Sequence, residues 1–188
     1  MPARQCIAPA NPSPDRNWRD DRTVTLTDLN AGSKDTFVMA LGGVFEQSPW
    51  VAEQAWEHRP FASVDALHAA MVDTLMGATE DAQLAVLRAH PDLGTRARMT
   101  DTSAGEQAGA GLDRLSPAEF DRLGRLNQDY WERFGFPFLF AVKGATKHDI
   151  LAALDRRRLS TRDEEFAEAL RQVARIARFR LETLLNHS

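Results

Sequence analysis

The chain has 188 residues, of which 43% are hydrophobic and 27% charged, with a formal net charge of −4. These values fit one soluble globular domain with a sizeable core. They give no basic footprint for nucleic acid, and no stretch approaches the ~18–20 apolar residues that span a bilayer, so neither nucleic acid nor membrane is an expected partner. The single cysteine, Cys6, cannot form an intrachain disulfide, and it lies in a proline-containing tail with no fixed base to activate it.

Residues 1–23 contain Pro2, Pro9, Pro12 and Pro14 among polar and charged side chains, a composition that cannot bury enough apolar surface to offset ordering entropy, so a flexible leader is expected there. It has no apolar core of the kind that marks a secretory signal. From residue 24 to 188 apolar residues recur at helical spacing and no long alternating run suggests a sheet, which predicts an all-α, single-domain multi-helix bundle without internal repeats. Ser63 can cap a helix carrying Val64, Leu67, Met71 and Leu75. After Gly77, Thr79 can cap the next, carrying Ala82, Val86 and Leu87.

That second helix should stop at His90, because Pro91 disfavours the α region for the residue before it and Gly94 permits a further turn. An imidazole at a helix end can face a cleft, and its ordinary pKa near ~6.5 suits proton transfer at neutral pH. Ser103 and Glu106 have the spacing of a capping box. Gln107 and the small residues Ala108, Gly109, Ala110 and Gly111 follow, where backbone and ligand can approach closely.

Further along, Ser116-Pro117-Ala118-Glu119 is a strong helix start, and the face that follows carries Phe120, Leu123 and Tyr130 to an end near Gly135. Phe136 to Val142 reads as a buried extended segment whose N–H and C=O groups need partners, which a bound polar heterocycle could supply. A shorter helix is expected from Lys147 to Arg158, its Arg156-Arg157-Arg158 run a solvated end. A long helix from Thr161 through Leu185 carries the stripe Phe166, Leu170, Val173, Ile176 or Ala177, Leu181 and Leu184. Trp50, Trp56, Trp131 and Phe134 read as core or interface anchors. The final residues Leu185-Asn186-His187-Ser188 do not form a peroxisomal targeting tripeptide, which favours the cytoplasm.

Several motifs in order carry a family resemblance. They are Phe45-Glu46-Gln47-Ser48-Pro49-Trp50-Val51-Ala52, Arg59-Pro60-Phe61, His90-Pro91-Asp92-Leu93, Ser103 with Glu106-Gln107 and Ala108-Gly109, Asn127 with Tyr130, and Phe134-Gly135-Phe136-Pro137-Phe138. From about Leu26 to about Leu185 the chain resembles the 2-oxo-4-hydroxy-4-carboxy-5-ureidoimidazoline decarboxylases, cofactor-free enzymes that form (S)-allantoin in urate breakdown. The resemblance implies a small ureidoimidazoline substrate, no cofactor, no metal ligands and a homodimer. It implies His90 as the catalytic proton-transfer residue with Pro91 beside it. Glu106 would orient the substrate hydroxyl or ureido groups, Gln107 would read the ureido amide, and Ser103 would add a polar contact. The main chain of Phe138, Leu139, Phe140, Ala141 and Val142 would hold the ring. Arg180 would hold a carbonyl or anion, with Arg178 close by in register and Arg175 a weaker candidate.

The implied substrate carries a carboxylate and a hydroxyl on one ring carbon next to a C=N bond, so the electrons left by departing CO2 have their own sink. No phosphate-cradling glycine loop and no paired-histidine metal motif accompanies the site. A gripped reacting carboxylate would be stabilised in the ground state, so a less polar wall is expected around it. Two other readings stay open on residues alone: a metal-dependent hydrolase using His90, Asp92 and Glu106, and a non-catalytic helical interaction module with the tryptophans as an adhesive face.

Overall fold

The computed structural model describes residues 24–94 and 101–185. The expected leader over 1–23, Cys6 within it, and the three residues after Leu185 lie outside the described residues. Among the described residues every regular element is helical: α1 Leu26–Ala31, α2 Lys34–Leu41, α3 Trp50–Ala55, α4 Val64–Met76, α5 Glu80–Ala89, α6 Asp101–Gly109, α7 Pro117–Phe134, α8 Lys147–Arg157 and α9 Arg162–Leu185, with short 3₁₀ turns at Trp56–His58 and Leu112–Arg114. The all-α expectation holds.

The helix starts follow their capping residues. Ser63 and Thr79 accept from the Ala66 and Ala82 amides, and Ser116 and Glu119 form a complete capping box. Lys147 and the Ser116 cap draw the Glu119 carboxyl down to about 2. Helix α7 ends at Gly135 in the left-handed region, φ 77°.

The long helix α9 packs on α4, α5 and α7, while α3 bridges α2 and α4. Its buried face carries Ala169, Leu170, Val173, Ile176, Ala177, Leu181 and Leu185, and also three polar residues, Glu165, Gln172 and Arg180. Spacings of seven and eight residues keep these three on one side of the helix. Phe166 and Leu184, assigned to the stripe from sequence, are only half-buried against the core.

Phe120 and Arg157 depart from their sequence assignments, and Trp131 keeps only the interface half of its reading. Trp131 and Phe120 are exposed, so neither anchors the core through α7; Leu123, Tyr130 and Phe134 do. Trp50 and Trp56 pack partly buried against the core, Trp56 edge-on to Phe37. Arg157 is no solvated helix end. It is buried, pairs with Glu165, and donates to the Leu139 carbonyl at 2.7 Å.

Candidate active site

The turn after α5 is pinned from two helices. His90 is the residue at which α5 stops, with extended backbone angles of φ −77° and ψ 141°. Asn127 of α7 donates to the Leu93 carbonyl at 2.8 Å, and the Gly94 amide donates to Gln107 Oε1 of α6 at 2.8 Å. Gly94 has φ +71°, and a Cβ there would lie 2.4 Å from a Leu123 methyl, so only glycine lets the turn approach α7 this closely.

His90 is oriented through its own helix. Its Nδ1 lies 2.8 Å from the Val86 carbonyl oxygen, which can only accept, so Nδ1 carries the proton and donates. In the neutral ring Nε2 therefore keeps its lone pair, and it is buried without a protein partner among the described residues. Burial pushes the imidazole pKa below its ordinary 6.5; the Val86 bond opposes this, and the positive charge of Arg180 adds to the depression while Glu46 and Glu106 resist it.

These three charges form the centre of a second cluster. Arg180 of α9 grips Glu106 in a two-point ion pair, Nε to Oε1 at 2.9 Å and the terminal nitrogen to Oε2 at 3.0 Å. The same guanidinium reaches Ser103 Oγ at 3.0 Å and Glu46 Oε2 at 3.0 Å, and Ser103 donates to Glu46 at 2.9 Å. Burial disfavours charge on Arg180, yet the carboxylates of Glu106 and Glu46 raise its pKa on balance. Arg178, the neighbouring candidate, is spent elsewhere, on Asp65 of α4 and Glu182, and Arg175 is exposed.

The spacing of Ser103 and Glu106 therefore has a different meaning from a helix cap. Helix α6 is described from Asp101 to Gly109, so Ser103 and Glu106 stand one turn apart inside it and face Arg180. Glu46 carried no role in the sequence reading although it lies in one of the matched motifs. It is 2% exposed in the segment between α2 and α3, where no helical period marks an inward-facing acid. The signal that could have found it is an acid flanked by Val44, Phe45 and Ser48, which are all buried.

A cleft of about 770 Å³ is bordered by Val44, Glu106, Val142, Ile176, Phe179 and Arg180. A second recess of about 480 Å³ is bordered by His90, Pro91, Asp92, Asn127, Trp131 and Pro137. Phe138, Leu139, Ala141 and Val142 are buried and Phe140 is half-buried. Two groups of this segment already have protein partners, the Leu139 carbonyl on Arg157 and the Ala141 amide on Gln172 Oε1 at 2.8 Å. Asp92 is kept more protonated than an ordinary carboxyl by burial, and among the described residues no set of three His, Cys, Asp or Glu side chains converges as metal ligands. The hydrolase grouping of His90, Asp92 and Glu106 is thus not brought together as a ligand set.

Residues 30–182 match the profile of the family described as OHCU decarboxylase. The chain belongs to this family. A 2-oxo-4-hydroxy-4-carboxy-5-ureidoimidazoline decarboxylase of Halalkalicoccus jeotgali is 48% identical over 161 residues, covering 86% of this chain and 92% of that protein. A protein of the same name from Haloferax volcanii is 49% identical over 158 residues, covering 84% and 94%. The crystal structure of an (S)-allantoin synthase superposes with a TM-score of 0.70 at 34% identity; it covers 86% of this chain, which spans 54% of that longer one. As an OHCU decarboxylase family member the chain has Arg180, Ser103 and Glu46 buried together with a half-buried Glu106, within electrostatic reach of the oriented His90.

Proposed function

We infer that this chain removes CO2 from 2-oxo-4-hydroxy-4-carboxy-5-ureidoimidazoline and releases (S)-allantoin, as a carboxy-lyase of urate degradation. The observation that carries the reading is His90, a neutral, buried imidazole whose Nδ1–H is fixed on Val86 and whose Nε2 lone pair is free of protein partners among the described residues. It stands within electrostatic reach of Glu106 and Arg180. The names and extent of the similar proteins supply the substrate class.

In this reading Nε2 accepts the proton of the substrate hydroxyl. The C–C bond to the carboxylate breaks, its electron pair forms a C=C bond between the two ring carbons, and the former C=N pair moves onto the ring nitrogen, which takes a proton from solvent as CO2 leaves. A proton then returns to one face of the planar intermediate at the ureido-bearing carbon, while the hydroxyl carbon becomes the carbonyl. Glu106, held by Arg180, orients the substrate's hydroxyl or ureido N–H groups, and Ser103, Gln107 and Pro91 line the approach. The main chain of Phe138 to Val142 supports the ring. Arg180 has two carboxylates and Ser103 around it, which argues against a tight grip on the reacting carboxylate. The apolar border of the cleft, Val44, Val142, Ile176 and Phe179, suits a group that must lose its charge as CO2. The same reading assigns the protein to the cytoplasm as a homodimer. No helix of the described residues is long and apolar enough to cross a membrane.

Because the substrate holds its own electron sink, the reaction needs no added cofactor. Protein dialysed against chelator should accelerate decay of freshly generated substrate as well as untreated protein does. Loss of that acceleration, with recovery on adding a divalent metal, would overturn the cofactor-free reading.

A further inference from the structure

The segment Pro137 to Val142 runs without bend or turn between α7 and α8, and two of its main-chain groups are taken by side chains behind it. Arg157, at the last turn of α8, donates to the Leu139 carbonyl at 2.7 Å, and Gln172, on the buried face of α9, accepts the Ala141 amide at 2.8 Å. Both side chains are themselves fixed. Arg157 binds both oxygens of Glu165 and lies over the Phe138 ring, Glu165 also takes the Tyr130 hydroxyl, and the Gln172 amide nitrogen donates to Glu168 at 2.6 Å.

In an extended chain the N–H and C=O of one residue face one side, and those of the next face the other, with a period of two. Leu139 and Ala141 are two apart and both are tied toward α8 and α9. The peptide groups of Phe140 between them are thereby turned to the opposite side, and among the described residues they take no protein hydrogen bond. The C-terminal end of the same segment, Val142, borders the cleft with Glu106 and Arg180.

We propose that Arg157 and Gln172 are positioning residues for the reaction: by holding the Leu139 carbonyl and the Ala141 amide from behind, they aim the Phe140 main-chain groups at the substrate ring. This rests on the decarboxylase reading and names what orders the backbone part of that site. Neither side chain touches substrate. They act through a two-residue register that a side chain alone could not set, since a free segment of this length could rotate its amides either way.

Two measurements test it, after turnover by the unaltered protein has been recorded. Q172M keeps the side-chain length and removes the acceptor for the Ala141 amide. Ring-holding contacts act on ground and transition states alike, so KM should rise about tenfold while kcat changes little. In the unaltered protein, titration with (S)-allantoin followed by amide resonances and hydrogen exchange should shift and protect the Phe140 amide, leaving the already bonded Ala141 amide nearly unchanged. Perturbation of Ala141 with Phe140 unmoved overturns the proposal whether or not Q172M folds, as does a folded Q172M with unaltered KM. If the unaltered protein shows no turnover at all, the decarboxylase reading fails first and this proposal falls with it.

Discussion

At the level of single residues the proposed reading separates a proton carrier, His90, from a charge clamp, Arg180 with Glu106. His90 has one nitrogen committed to Val86 and the other left open. Exchanging it for asparagine keeps a polar group of similar reach but no titrating ring, so H90N should lose ~10²–10⁴-fold in kcat over the spontaneous background while circular dichroism shows the fold intact. The pH dependence has a definite sign. Burial first, and the charge of Arg180 after it, depress the imidazole pKa below 6.5, so the neutral, proton-accepting form persists through pH 6.5 and the acid limb of kcat/KM should fall only below it. Linkage gives stability the same direction: the unfolded chain binds the proton first, so the contribution present above 6.5 is lost as pH falls beneath it. E106Q tests the clamp. A carboxylate that only pairs with Arg180 would alter stability when neutralised and leave catalysis alone, whereas an orienting carboxylate should cost at least about tenfold in kcat/KM, a 1.4 kcal/mol effect at the transition state. Unchanged kinetics with a small melting shift would return Glu106 to a structural role. Sequence singled out His90 and Glu106 because a proline-stopped helix and an acid beside small residues are local signals. It gave no role to Glu46, whose burial depends on Arg180 arriving from 134 positions further along the chain.

Elements explain both what was legible and what was not. The starts of α4, α5 and α7 were readable because Ser63, Thr79 and Ser116 satisfy the first free amides of each helix by themselves. The short helices α1 to α3, of six to eight residues, offer too few turns for a period to emerge. Ser103 and Glu106 read as a cap because an i, i+3 pair looks the same at a helix start and one turn inside it. Arg157 read as solvated because its partners, Glu165 and the Leu139 carbonyl, come from across a loop and from another segment. The turn carrying His90 is the element on which the site depends, and Gly94 is its tightest point. In G94A the new methyl would meet Leu123 at 2.4 Å and the positive φ would add strain of about 1–2 kcal/mol. Melting should fall by at least about 2–4 °C per kcal/mol in a chain of this size, and activity should fall further than stability alone accounts for, because relieving the clash moves His90 relative to Glu106. A G94A protein of normal melting temperature and normal kcat/KM would show that the turn is not held as described.

Over the whole molecule, α9 ties the fold to the chemistry. Its apolar residues fill the core, while Glu165, Gln172 and Arg180 on the same side reach respectively Arg157, the Ala141 amide of the extended segment, and Glu106. The helical domain was legible in the sequence because its periodicity is strong. The convergence of α6, α9 and the α2–α3 segment on one guanidinium was not, because it depends on packing between elements distant in sequence. On the proposed decarboxylase reading the consequence at this scale is asymmetry: His90, Glu106 and the Phe140 backbone would be set about one ring orientation, so the proton should arrive on one face. The spontaneous decay of the substrate also ends at allantoin, which makes total product uninformative. The most direct measurement is the circular dichroism of the product, followed while freshly generated substrate is consumed at a rate well above background. The account predicts an optical signal that grows in step with CO2 release and corresponds to (S)-allantoin. A racemic product formed at the accelerated rate would contradict it, showing CO2 loss without control of the proton by the His90 face.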